Sequence, residues 1–93
     1  MSVLSLFRIE VKPAEEKNFL NDFTTLFPVG KKQKGCLYAE AFVPVGVKNT
    51  YLLITEWASE ADIEAWKKVE QHMVIMAKAG RYVAKHSIKR YKS

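Results

Sequence analysis

The chain has 93 residues, of which 15 are basic and 10 acidic, for a formal charge of +5 at neutral pH. That length supports one domain, residues 1–93, with a small core, yet 48% of the residues are apolar or aromatic, a surplus that implies burial against a ligand or a second subunit. A single cysteine excludes an internal disulfide, no run reaches the roughly 20 apolar residues of a membrane span, and the N-terminus lacks signal-peptide features, so a cytoplasmic protein with no membrane partner is expected.

The first predicted element is a strand over Val3 to Val11, with Val3, Phe7, Ile9 and Val11 on one parity, broken by Ser5. Leu4 and Leu6 point the other way, so the start of this strand is expected to be covered on both faces. Pro13 suits the first turn of a helix, Glu15 and Glu16 favour its positive end, and Phe19, Phe23, Leu26 and Phe27, with Leu20 beside them, form an apolar stripe at helical spacing. Pro28 and Gly30 are expected to end this helix. A second strand is read over Gly35 to Val43, with Leu37, Ala39, Ala41 and Val43 on one face and Tyr38 and Phe42 on the other. PVGVKN supplies a turn, and Thr50 to Trp57 forms the third strand. Ser59 is a candidate N-cap for a second helix from Glu60 to about Ala79, stopped by Gly80. Arg81 to Tyr91 is the last strand.

The order β-α-β-β-α-β predicts an α+β, ferredoxin-like split βαβ domain, a four-stranded antiparallel sheet with its helices on one face. Strands with apolar residues of both parities, such as Leu53 and Ile54, further predict a homodimer packed sheet against sheet.

The second helix is internally inconsistent. At about 100° per residue, Ile63, Trp66, Met73 and Ala77 share one side, but Glu70 falls in the middle of it and Val74 and Ile75 fall off it. His72 would point roughly 120° away from Trp66 on the same ideal geometry. A break near Val69 to Gln71 relieves the conflict, and a gap beside Trp66 is then expected to hold a flat apolar ligand.

The element order and the passage YLLITEWASEADIEAWKKVEQH resemble the antibiotic biosynthesis monooxygenase family, and the likeness spans nearly the whole chain. The resemblance implies a dimeric α/β barrel in which two four-stranded sheets face each other, with a pocket in each subunit between helices and sheet. Many members are cofactor-independent oxygenases of quinol-like or polycyclic phenols, and one branch degrades haem. The haem-degrading pattern has an Asn on the first strand, a Trp inside the second helix and a His ten residues later. Here those positions are Phe7, Trp66 and Met76, so two of three are lost, and neither haem nor a metal or other cofactor is expected. The quinol-oxidising branch often has a His at the position of Trp66 and another near His72, and here the latter is kept.

Cofactor-free oxygenation needs a base and a dry pocket. His72 is the candidate catalytic base, since histidine titrates near neutrality. Trp66, Phe7 and Met76 are candidates to shape an apolar pocket, Trp57 to stack on an aromatic ligand, and Tyr38 and Tyr51 to orient a substrate oxygen. His86 reads as structural or exposed. Two functions follow: a cofactor-independent monooxygenase of a small phenol or quinol, or a non-catalytic dimer binding a small hydrophobic ligand or haem. Nucleic-acid binding is not expected, because the basic residues cluster in GKKQKG and in the tail KHSIKRYKS and a dimer would cover the sheet.

Overall fold

The structure, a computed structural model, describes residues 2–93. Four strands, β1 (Val3–Val11), β2 (Cys36–Phe42), β3 (Thr50–Trp57) and β4 (Val83–Lys92), form one antiparallel sheet in the order β2-β3-β1-β4. Three helices, α1 (Glu16–Lys31), α2 (Glu60–Lys67) and α3 (Glu70–Lys78), complete the split βαβ arrangement, with short 3-10 turns at Pro13–Glu15 and Ala79–Arg81. The ferredoxin-like expectation therefore holds, with the second helix in two pieces.

The registers explain which face is covered. Val3 pairs with Trp57, Phe7 with Leu53 and Ile9 with Tyr51, so these odd positions share the helix side. Val3 and Trp57 pack with Ile63 of α2, while Ile9 and Val11 pack with Phe19 of α1 and with Tyr82. Burying a Phe or Ile side chain contributes about 1.5–3 kcal/mol, which is why the alternation of β1 translates into a helix-covered face. Even positions of β1 and β3, those of β2 from Tyr38 onward, and the odd positions of β4 that pair with them, face the other way. There Leu4, Tyr38, Phe42 and Tyr91 are exposed, and Leu6, Leu52 and Ile54 are half-buried.

Three local expectations change. The first helix does not stop at Pro28: α1 runs through it to Lys31. Proline gives up one helical hydrogen bond, but Phe19, buried earlier in the helix, stacks on Phe23 at 5.6 Å, and Phe23 meets Phe27 at 5.4 Å, so packing outweighs that loss. Leu20 of that stripe is exposed. In β2 a bulge between Cys36 and Tyr38 takes Leu37 out of the pairing and leaves it 60% exposed, and Val43 lies beyond the strand end. The last strand begins at Val83, because Ala79–Arg81 forms a 3-10 turn whose end carries buried Tyr82.

Ser59 caps α2 as its position implies: its hydroxyl accepts from the Asp62 backbone N–H at 3.3 Å and donates to Asp62 Oδ2 at 2.9 Å. The second helix breaks at Lys68–Val69, where Val69 adopts an extended ψ of 130°. Glu70 thereby becomes the first residue of α3 and is exposed, at the end of the helix where a carboxylate is favoured. A straight helix would have buried that charge.

Candidate functional site

The break builds the site. In an unbroken helix the Trp66 carbonyl would accept from the N–H of residue 70. Here it accepts from Val69 N–H at 3.1 Å and lies 3.2 Å from His72 Nδ1. A carbonyl oxygen only accepts, so Nδ1 carries the proton and Nε2 keeps its lone pair. The imidazole lies flat on the Trp66 indole, with ring centroids 4.4 Å apart and planes 11° from parallel. Residues that regular periodicity places about a third of a turn apart are thus stacked.

His72 is half-buried, and that burial lowers its pKa below the usual histidine value. The hydrogen bond to the Trp66 carbonyl opposes the shift, and the positive charge of Lys67 adds to it. The group is therefore neutral at pH 7, with Nε2 able to accept a proton.

The core comes in two separate clusters, Val3–Trp57–Ile63 at one end of the sheet and Ile9–Val11–Phe19–Tyr82 at the other. Between them on the helix side lie Ser5, Phe7, Leu53 and Thr55, each half-buried, and Ile88, which is 51% exposed. Trp66 of α2 packs on the first cluster and Ala79, after α3, on the second. α3 follows the break and buries none of its residues. Of the residues between the clusters, Phe7, Leu53 and Ile88 are apolar and Ser5 and Thr55 polar.

The remaining candidates are dispersed. Phe7 lies between the two clusters, packed against the second and 6.0 Å edge-on from His86. Trp57 is core: it is buried, and its indole N–H donates to Thr55 Oγ1 at 3.0 Å. Tyr51 leans on Phe19 with ring centroids 5.0 Å apart, and its hydroxyl donates to Glu16 Oε2 at 2.9 Å. Burial first, then that carboxylate, raises its pKa, so it stays a phenol. Met76 is exposed on α3, and Tyr38 is exposed on the opposite face of the sheet, away from Trp66 and His72. His86 is exposed, as its surroundings imply.

The expected gap beside Trp66 is occupied: the indole edge reaches the α1 backbone at Gly30 and the imidazole covers its face. Open volume lies elsewhere. A cleft of about 440 Å³ is lined by Glu15, Asn18, Asp22, Lys78, Arg81 and Tyr82, and another of about 280 Å³ by Arg8, Glu10, Lys85, His86 and Ser87. In the first, Lys78 pairs with Asp22 at 3.5 Å and the Tyr82 hydroxyl donates to Asp22 at 3.3 Å. Burial and the Asp22 charge push the Tyr82 phenol up to about 12. Sequence reasoning missed Gly30 and the tie between His72 and the Trp66 carbonyl, because both contacts depend on the angle at the break. Among the described residues no group of three or more His, Cys, Asp or Glu side chains is placed to hold a metal, and no helix is long and apolar enough to cross a membrane.

Comparison with known proteins agrees with this architecture. The chain is 27% identical over 78 residues to the Bacillus subtilis (strain 168) protein named "Putative monooxygenase YcnE", covering 84% of this chain and 81% of that one. A conserved protein from Methanosarcina mazei Go1 superposes with a TM-score of 0.93 at 17% identity, over 100% of this chain and 93% of the other. A crystal structure of an antibiotic biosynthesis monooxygenase superposes with a TM-score of 0.90 at 14% identity, over 98% and 97%. At such identities these two structures speak for the fold. Residues 2–78 match the family model described as antibiotic biosynthesis monooxygenase, and the chain belongs to that family.

Proposed function

We propose that the protein is a cofactor-independent monooxygenase acting on a small phenolic or quinol-like aromatic substrate. The observation that carries this reading is His72: neutral, half-buried, its Nδ1 proton engaged by the Trp66 carbonyl and its Nε2 left as acceptor. Nε2 takes the phenolic proton, and the resulting phenolate is electron-rich enough to pass an electron to dioxygen. A C–O bond then forms at a hydrogen-bearing ring carbon ortho or para to the phenolate oxygen, the peroxide takes back the proton from Nε2, and the hydroperoxide loses water, with the hydrogen of that carbon, to leave a quinone. One oxygen atom enters the product and the other becomes water; the substrate supplies all four electrons, so no external reductant is needed. The half-buried Phe7 and Leu53 on the helix face of the sheet support the reading as apolar surface for an aromatic ring.

Dioxygen uptake with a panel of quinols and polycyclic phenols, in chelator-treated, flavin-free buffer, tests it. The expected result is one dioxygen consumed per quinone formed, with one labelled oxygen atom in the product. A second reading is favoured by one observation, that the imidazole face is already engaged by Trp66. It is a non-catalytic dimer that binds a small hydrophobic ligand. Saturable binding of these phenols with no oxygen consumed selects it and overturns the first.

Both readings include a homodimer formed through the sheet faces. The support is the bare face bearing Leu4, Tyr38, Phe42 and Tyr91 around Leu6, Leu52 and Ile54. Ile54→Lys places a charge at the centre of that face and is expected to shift sedimentation from dimer to protomer at micromolar concentration. An unchanged sedimentation coefficient removes this interface.

A further inference from the structure

Gly30 lies inside α1, one residue from its end, and nothing in the backbone asks for glycine there. The glycines with positive φ are Gly35 and Gly46, not Gly30. A glycine inside a helix costs about 1 kcal/mol relative to alanine, so the position carries a penalty without a conformational reason. Its requirement is space. A methyl group on this Cα would stand 3.0 Å from Trp66 Cζ2, 3.3 Å from Cη2 and 3.5 Å from Cε2. The edge of the indole rests on bare α1 backbone, its face lies against His72, and the residue packs on the Val3–Trp57–Ile63 cluster. Three elements therefore locate one indole, and the imidazole follows it.

We infer that Gly30 is a positioning residue: by admitting the Trp66 indole against the α1 backbone, it sets where the His72 imidazole stacks and where Nε2 stands. Its consequence for turnover rests on the proposed role of His72 as base; its effect on the stack does not. A base must come within hydrogen-bond reach of the proton it takes. A methyl at position 30 pushes the indole outward by a few tenths of an ångström. The tie from Nδ1 to the Trp66 carbonyl runs through backbone and survives, so the imidazole turns about that tie with the displaced indole, Nε2 changes position and the ring gains contact with water. The charged neighbour acting on it is Lys67, at the end of α2, and the α1 residue whose backbone the indole meets is the uncharged Gly30.

NMR titration of the His72 ring in wild type, Gly30→Ala and Gly30→Val tests this, with each change repeated in a Trp66→Phe background. In wild type His72 is expected to titrate below the usual histidine value. Gly30→Ala is expected to move that titration upward and Gly30→Val further, with the melting temperature of Gly30→Ala unchanged or raised by the better helix former. In the Trp66→Phe background, where the indole edge is gone, Gly30→Ala is expected to leave the His72 titration unmoved. With an active substrate, Gly30→Ala lowers kcat by about 10-fold or more, as small misplacements of reacting groups do, with KM little changed. Superimposable His72 titration curves for wild type and Gly30→Ala overturn the inference, as does an equal shift with and without the indole. Gly30→Ala carries the test if Gly30→Val does not fold. Absence of oxygen uptake by wild type overturns the oxygenase reading alone, because the titrations still decide what Gly30 does.

Discussion

Gly35→Ala is expected to lower the melting temperature by at least about 10 °C. Two independent effects add at this position. The backbone is left-handed, with φ at +85°, where a side chain costs about 1–2 kcal/mol. A Cβ there would also overlap the Asp62 side chain, meeting its Cγ and Oδ2 and lying 2.6 Å from its Cβ. Crowding of that kind adds about 1–3 kcal/mol, and about 1 kcal/mol corresponds to 4–8 °C in a domain of this size. Asp62 cannot simply swing away, because its carboxylate is held by the Ser59 hydroxyl at the start of α2. The Gly35 carbonyl also accepts from Ala58 N–H at 2.7 Å, so the strain acts where β2, β3 and α2 meet. Gly46→Ala is the comparison: φ is +78° there, but open space surrounds the Cα. It is expected to lose only the conformational part, about 1–2 kcal/mol. Equal melting temperatures for the two variants would remove the Asp62 contribution.

His72→Ala is expected to lower kcat by about 10²- to 10⁴-fold, the range over which general bases act, with the fold retained. The pH profile carries a second sign. Nε2 must be unprotonated, so kcat/KM falls as pH drops through the His72 pKa. Burial lowers that pKa, so the acid limb lies below the usual histidine value of about 6.5. Removing the Lys67 charge by Lys67→Gln relieves a repulsion and is expected to move the limb upward. The same shift links to stability. As pH falls below about 6.5 the unfolded chain binds a proton that the folded protein resists. The stability associated with His72 is therefore full above that pH and is lost as pH falls toward the folded pKa. An acid limb above 6.5, or one that persists in His72→Ala, would assign the proton transfer to another group.

The amino-acid pattern by itself determined the architecture. The alternation in Val3 to Val11, the helical stripe of Phe19, Phe23 and Phe27, and the Ser59 cap are local or periodic signals. The first two were realised because burial of those side chains outweighs competing preferences, and the cap because the Ser59 hydroxyl satisfies the Asp62 backbone N–H. It also determined that the second helix had to break, since one straight cylinder cannot bury Ile63 and Trp66 and expose Glu70; the break falls at Lys68–Val69, within a residue of its expected place.

Only the tertiary structure decided what the break does. The stack of His72 on Trp66 depends on an extended ψ at Val69, which no periodicity encodes. The placement of Tyr38 on the far side of the sheet was legible as strand parity, but its distance from Trp66 required the strand order. Pro28 and Gly30 read as helix stops because local propensity disfavours both. Packing of the Phe19–Phe23–Phe27 ladder carried α1 past them, and the glycine acquired its reason from an indole 36 residues away in sequence. Contacts between distant segments set these features, outweighing local preferences of about 1 kcal/mol for glycine and about 3 kcal/mol for proline.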